Sequence, residues 1–230
     1  MAKSKNRTLI SEDENNKSVP FAVVEAYKTI RTNILFLLSQ SDKKIIAISS
    51  SLKGEGKSTT SVNIAIALSL LNTKVLLIDC DLRKATIHKK LKLENTVGIT
   101  SVLAGFSTLE ESIATINPHL SVITSGPIPP NAAELLSSKK MDELLDTLNE
   151  EYDYIIIDTP PINVVSDALV IAAKTSGLIL VVKDNYIDHS DFERALSSIE
   201  LAGVRVLGAV LNGSNEQKSK SCRYKYSNDY

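Results

Sequence analysis

The chain has 230 residues and a mass of 25.0 kDa, about one to one and a half domains and enough to bury a sizeable core. Hydrophobic residues make up 43% and charged residues 23%, which excludes a disordered or collagen-like polymer. The 26 basic and 27 acidic side chains nearly cancel, so no global charge points to nucleic acid or acidic lipid. Residues 1–18 are polar and aperiodic and read as a loose arm with no apolar stretch of a signal peptide behind the first basic residues. From Phe21 to Leu38, apolar Val24, Tyr27, Ile30, Ile34 and Leu38 recur at spacings of three and four, the pattern of a helix. Short apolar runs then alternate with amphipathic ones. Strands are expected at Lys44–Ser49, Lys74–Asp79, Leu120–Thr124, Tyr154–Asp158, Leu178–Lys183 and Val206–Leu211, all rich in Ile, Val and Leu without in/out alternation. Helices are expected at Lys57–Leu71, Ala132–Asn149, Ser166–Thr175 and Asp188–Ala202. This order predicts a single α/β domain over 19–212, a mostly parallel sheet with helices on both faces. Past Gly213 the pattern stops, and 213–230 reads as a mobile polar tail. No apolar run approaches the about eighteen residues of a membrane span. Cys80 and Cys222 cannot build a disulfide framework, so a soluble protein of a reducing compartment is expected.

Three strand ends carry the chemistry. Ile45–Ser58 reads as a buried strand, a glycine-bearing turn and then Gly56-Lys57-Ser58 opening a helix, which is a P-loop with Ser51 in place of its usual first glycine. Backbone amides of Lys53, Gly54, Glu55, Gly56 and Thr59 would cradle phosphates, Lys57 would reach the terminal ones and Ser58 would offer a hydroxyl to magnesium. The next strand delivers Asp79 and Asp81 with Arg83 just beyond. Side chains two apart on an extended segment point the same way, and a divalent cation relieves two carboxylates brought together. A further strand closes on Asp158, the pattern of a second magnesium ligand, and Thr159-Pro160-Pro161 stiffens its exit. Cys80 reads as a small core side chain. His88, His119 and His189 lack ligand spacing, so no zinc site is expected.

Together SSSLKGEGKS, VLLIDCDLR and YIIIDTPP resemble the Walker A, A′ and B motifs of the bacterial tyrosine kinases, the cytoplasmic kinases of capsular and exopolysaccharide assembly in Gram-positive bacteria. The resemblance runs from about Val19 to the last residue. It implies a P-loop NTPase fold, ATP and Mg2+, and a protein-tyrosine kinase with catalytic Lys57, Asp79, Asp81 and Asp158. Ser58, Asp79 and Asp158 would hold the metal, Asp79 or Asp81 would accept the tyrosine proton, and Arg83 and Asn212 would join the ATP-binding set. Glu25, Lys28 and Arg31 resemble the family's oligomerisation motif, with Lys28 where arginine is usual. Tyr224, Tyr226 and Tyr230 resemble its C-terminal phosphosites. The implied partners are further copies of the chain in a ring, protein tyrosines, and a membrane-spanning adaptor that recruits the kinase to the inner face of the membrane. The competing reading is a non-kinase ATPase switch of the partition or division-site type. It expects a lysine five residues before Lys57, where this chain has Leu52.

Overall fold

The computed structural model describes residues 19–214. The amino-terminal arm and Tyr224, Tyr226 and Tyr230 lie outside these residues. A first helix, α1 (Phe21–Leu37), leads into the central strand β1 (Ile45–Ser50), the P-loop and α2 (Lys57–Ser69). Next come β2 (Val75–Asp79), three short helices α3 (Ile87–Leu91), α4 (Ile99–Ala104) and α5 (Leu109–Ser112), and the hairpin of β3 (Ile113–Asn117) with β4 (Leu120–Ile123). The second half runs through α6 (Ala132–Ser137), α7 (Lys139–Glu151), β5 (Tyr154–Asp158), α8 (Asp167–Ala172), β6 (Gly177–Lys183), α9 (His189–Leu201) and β7 (Val206–Asn212).

The strands form one sheet in the order β3-β4-β2-β5-β1-β6-β7, parallel except for β3. Every residue of β1, β2 and β5 is buried, because alternate side chains enter two different cores. Ile46, Ile48, Val75, Leu77 and Ile156 pack under α1 and α2, whereas Ile45, Leu76, Ile78, Ile155 and Ile157 pack under α4, α6 and α7. That double cover is why these strands lack a polar face in the sequence. Helix α2 is buried along almost its whole length beneath α1, and its small residues Ala65 and Ala67 suit that close packing. Among the described residues no helix is long and apolar enough to cross a membrane.

The structure departs from the sequence reading in four places. The helix expected over Ala132–Asn149 is two helices, because Ser138 is extended (φ −63°, ψ 153°) and its hydroxyl caps α7 by accepting from the Met141 amide. The hairpin strand β3 is unanticipated: it is half exposed and turns at Asn117-Pro118-His119, where the Asn117 side chain accepts from the His119 amide at 2.8 Å. The helices α3, α4 and α5 are too short for a helical period to show. The strand over Val206–Asn212 is largely exposed rather than buried on both faces. Cys80, by contrast, is fully buried in the core as expected.

Candidate active site

The carboxyl ends of β1, β2 and β5 meet at one edge, where an open parallel sheet gathers its ligands. A cavity of about 390 Å3 lies there, lined by Lys53, Gly54, Gly56, Lys57, Ser58 and Thr59 of the loop and by Asp81, Arg83 and Lys90 opposite. The loop's course rests on two glycines in left-handed backbone, Gly54 (φ 89°) and Gly56 (φ 98°). A Cβ on Gly56 would stand 2.1 Å from the Asn212 amide nitrogen, so any side chain here would have to displace Asn212 as well as hold a left-handed backbone. From Gly56 the chain turns into α2, whose first amides face the cavity end.

Lys57 is nearly buried and its ammonium donates to Asp81 Oδ2 at 2.8 Å and Asp158 Oδ2 at 3.4 Å. Burial alone would pull its pKa down, but Asp158 and Asp81 outweigh it and the net shift is upward, so it is charged. Asp158 is fully buried and accepts from Ser61 Oγ at 2.9 Å, with the Ser58 hydroxyl also bound to it. Burial raises its pKa against the pull of Lys57. Asp79 lies beside this pair and is engaged elsewhere: its carboxylate accepts from the backbone amides of Asp81, Thr86 and Ile87 at 3.2, 3.1 and 3.1 Å. It therefore fixes the turn after β2 and the start of α3. Burial first, then the Asp158 charge, pushes it up to about 7.

The structure thus brings Lys57, Ser58, Asp81 and Asp158 into one cluster with Asp79 immediately behind. Three expected nucleotide contacts have other engagements. Glu55 buries its carboxylate away from the cavity, accepting from the Leu52 amide at 2.7 Å and the Lys183 amide at 3.2 Å; its side chain braces the loop and its backbone alone can serve a phosphate. Asn212 donates to the Glu55 carbonyl at 2.7 Å, which ties the end of β7 to the same loop. Arg83 lines the cavity but forks onto buried Asp167, Nε to Oδ2 at 2.8 Å and Nη2 to Oδ1 at 3.2 Å. Sequence reasoning missed Lys84, Thr86 and Lys90, which also line the cavity. Lys90 donates to Thr59 Oγ1 at 2.7 Å across 31 residues of chain, a juxtaposition that no local spacing announces.

Glu25 and Lys28 are partly exposed on α1 and pair with each other at 2.8 Å. Arg31, expected to face a neighbouring subunit, instead turns inward and donates from Nη1 to the Ala67 carbonyl of α2 at 3.0 Å. Its Nε is buried without a partner.

A mostly parallel sheet whose central strands are covered on both faces, a glycine-turned loop opening a helix at Lys57, and acidic residues at two neighbouring strand ends define a P-loop NTPase. The family model described as "AAA domain" matches residues 43–201. The tyrosine-protein kinase YwqD of Bacillus subtilis is 45% identical over 203 residues, covering 88% of this chain and 85% of that one. Among solved structures, the chimerical protein CapA2B2 superposes with a TM-score of 0.82 at 37% identity, covering 89% of this chain and 88% of that one. The kinase domain of the Escherichia coli tyrosine kinase ETK also gives 0.82, at 33% identity, covering 89% and 80%. The chain belongs to the bacterial tyrosine kinase family.

Proposed function

We propose that the chain transfers the γ-phosphoryl group of ATP to tyrosines, including Tyr224, Tyr226 and Tyr230 of a neighbouring copy, and that it serves capsular or exopolysaccharide assembly with a membrane-spanning adaptor. The observation that carries this reading is the Lys57 ammonium held between Asp81 and Asp158 within the loop-floored cavity. A cation already paired with two carboxylates is a charge that can be handed to an incoming phosphate chain. Lys57 exchanges Asp81 for nucleotide oxygens, and the loop amides and the start of α2 hold the rest. The freed Asp81 then accepts the tyrosine proton as the phenol oxygen bonds to the γ-phosphorus and the ADP oxygen leaves. Asp81 suits that role better than Asp79, whose oxygens already accept three backbone amides.

The donor set fits magnesium. Ser58 would give a hydroxyl and Asp158 a carboxylate, the hard oxygens that this ion takes alongside substrate phosphates, with Asp79, already accepting three backbone amides, immediately behind them. Among the described residues no group of three or more His, Cys, Asp or Glu is arranged to hold a metal. Bound there, Mg2+ would neutralise phosphate charge.

Glu25 and Lys28 on the outer side of α1 support a contact between copies, and a ring would hold each tail near the next site at high effective concentration. The test is mass spectrometry of wild type and Lys57→Met, each mixed with the adaptor's cytoplasmic segment, before and after Mg-ATP. Phosphotyrosine confined to wild type and mapping to residues 224–230 is the expected result. Equal phosphotyrosine in Lys57→Met would remove Lys57 from the mechanism.

A further inference from the structure

The cavity beside Lys57 has two unlike sides. One carries the loop, Asp81 and the cations. The other is formed by Pro160, Pro161, Val164 and Val165, which follow β5 directly. A phosphate site has no use for such a surface, and Val164 is 43% exposed within it. A single exposed valine is ordinary on a protein surface; four apolar residues turned into the cavity that holds the reacting cation are not.

The wall is also rigidly placed. The Thr159 amide donates to the Ile48 carbonyl at 3.0 Å, Ile162 to Ser50 at 2.8 Å and Asn163 to Ser51 at 3.1 Å. Ser49 Oγ donates to the Pro160 carbonyl at 2.7 Å. The segment is thus stitched to the strand that leads into the P-loop. On its other side Asn163 Nδ2 donates to the Asp191 carbonyl of α9 at 2.7 Å. The amides of Val164 and Val165 close back on the Pro161 carbonyl, so the two valines sit on a turn whose first half is fixed by proline rings.

We propose that Pro160, Pro161, Val164 and Val165 form the seat of the acceptor tyrosine's ring. The inference rests on the kinase reading above and adds to it the element that admits a phenol where an ATPase admits water. An aromatic ring needs apolar area at the site and a polar outlet for its hydroxyl; the wall supplies the first and Asp81, in the same cavity, the second. Because wall and loop share backbone hydrogen bonds, the distance from ring to phosphate is set by the fold, which is what an oriented two-substrate reaction requires. The adenine ring is the other planar group in the reaction. The wall is assigned to tyrosine because it borders the same cavity as Lys57 and Asp81, the groups that meet the transferred phosphate and the phenol hydroxyl.

The test uses the whole chain as enzyme and a Lys57→Met copy, which cannot donate, as acceptor. Steady-state transfer is measured against acceptor concentration, and Mg-ADP affinity is measured by calorimetry. Val164→Asp should raise the acceptor KM about tenfold, as expected for setting a charge against a ring that needs apolar contact, with the Mg-ADP Kd unchanged. Val164→Ile, which keeps the apolar surface, should keep the wild-type KM. An unchanged acceptor KM in Val164→Asp overturns the seat. So does a weakened Mg-ADP Kd with normal acceptor KM, which would assign the wall to the base. Absence of any transfer by wild type overturns the kinase reading, and the seat with it.

Discussion

The middle of the sheet and its two edges are built to different rules. In β1, β2 and β5 every residue is buried, and each strand ends on a residue or loop of the site. At the edges, β3 is half exposed and β7 exposes most of its length. The centre is covered on both sides by helices and locked by neighbours on both edges, so a side chain at its carboxyl end is placed by the whole domain. Asp158 shows the consequence. It is fully buried, and its charge is tolerated because Lys57, Ser58 and Ser61 meet it. The flank formed by α1 and β7 carries no such constraint, and it is there that Ile30, Phe36, Leu37 and Leu207 leave a shallow apolar groove. The site is placed by strands that neighbours hold on both edges, whereas the groove lies on a flank that one neighbouring strand holds.

The sharpest way to break this contrast is to remove the central cation. Lys57→Met should cut phosphotransfer by roughly a thousandfold, because the developing phosphate charge loses its main partner. Circular dichroism should still report the same fold. A variant retaining tenth-level activity would show that the cluster is structural only.

Next in size are the two aspartates of β2. Asp81→Asn should lower kcat roughly a hundredfold, since the tyrosine proton loses its acceptor. Asp79→Asn should lower it by only about tenfold, because an amide oxygen still accepts from the backbone amides that organise α3. The reverse order in single-turnover rates would make Asp79 the proton acceptor. The loop itself is tested by Gly56→Ala. Its Cβ meets Asn212 at 2.1 Å in left-handed backbone, so one or both must move, at a cost of about 1–3 kcal/mol. Weaker Mg-ADP binding in calorimetry is expected, and Asn212→Ala should recover part of it.

Asp79 also gives the centre a pH dependence. Its carboxyl titrates near 7 in the folded chain, against 3.8 for the ordinary side chain. Between these values the folded chain holds a proton that the unfolded chain has lost. Its contribution to stability is therefore complete below the unfolded value and lost as the pH rises through about 7. Urea unfolding of nucleotide-free protein should show wild type losing stability relative to Asp79→Asn between pH 6 and pH 8. A constant difference over that range would place the titration elsewhere.

The same division governed what could be read from sequence. Continuous Ile, Leu and Val runs ending in Asp79 and Asp158, and a glycine turn before Lys57, follow from local chemistry and were legible. Strands β3 and β7 were missed or misjudged because their burial depends on what lies beside them. The Thr108–Glu111 capping box of α5 was written in the sequence and passed over. The Lys90–Thr59 contact and the inward turn of Arg31 were out of reach, since both join residues brought together only by the packing of helices. So too was the role of Glu55, whose neighbours in the loop gave no sign that its carboxylate would reach back to Lys183.

The smallest expected effects lie on α1, and they separate two kinds of charged residue that share one helix. Arg31 donates to the Ala67 carbonyl near the end of α2, so it binds the flank to the helix that carries Lys57. Truncation to alanine removes that bond and leaves a partly buried carbonyl to find water, a loss of about 1 kcal/mol. Glu25 pairs with Lys28 at the surface, three residues along, and such pairs contribute only about 0.2–0.5 kcal/mol. Glu25→Ala should therefore leave the melting temperature almost unmoved. If its role is contact between copies, it should still shift the mass seen in light scattering toward smaller species. Arg31→Ala should lower the melting temperature whether or not assembly changes, because its bond lies within one copy. A stable Arg31→Ala would show that the inward bond contributes nothing and would free the residue to face a neighbour, as the sequence motif first implied. Equal destabilisation in both variants would instead mean that the surface pair supports the helix, and α1 would lose the division between inner tie and outer contact.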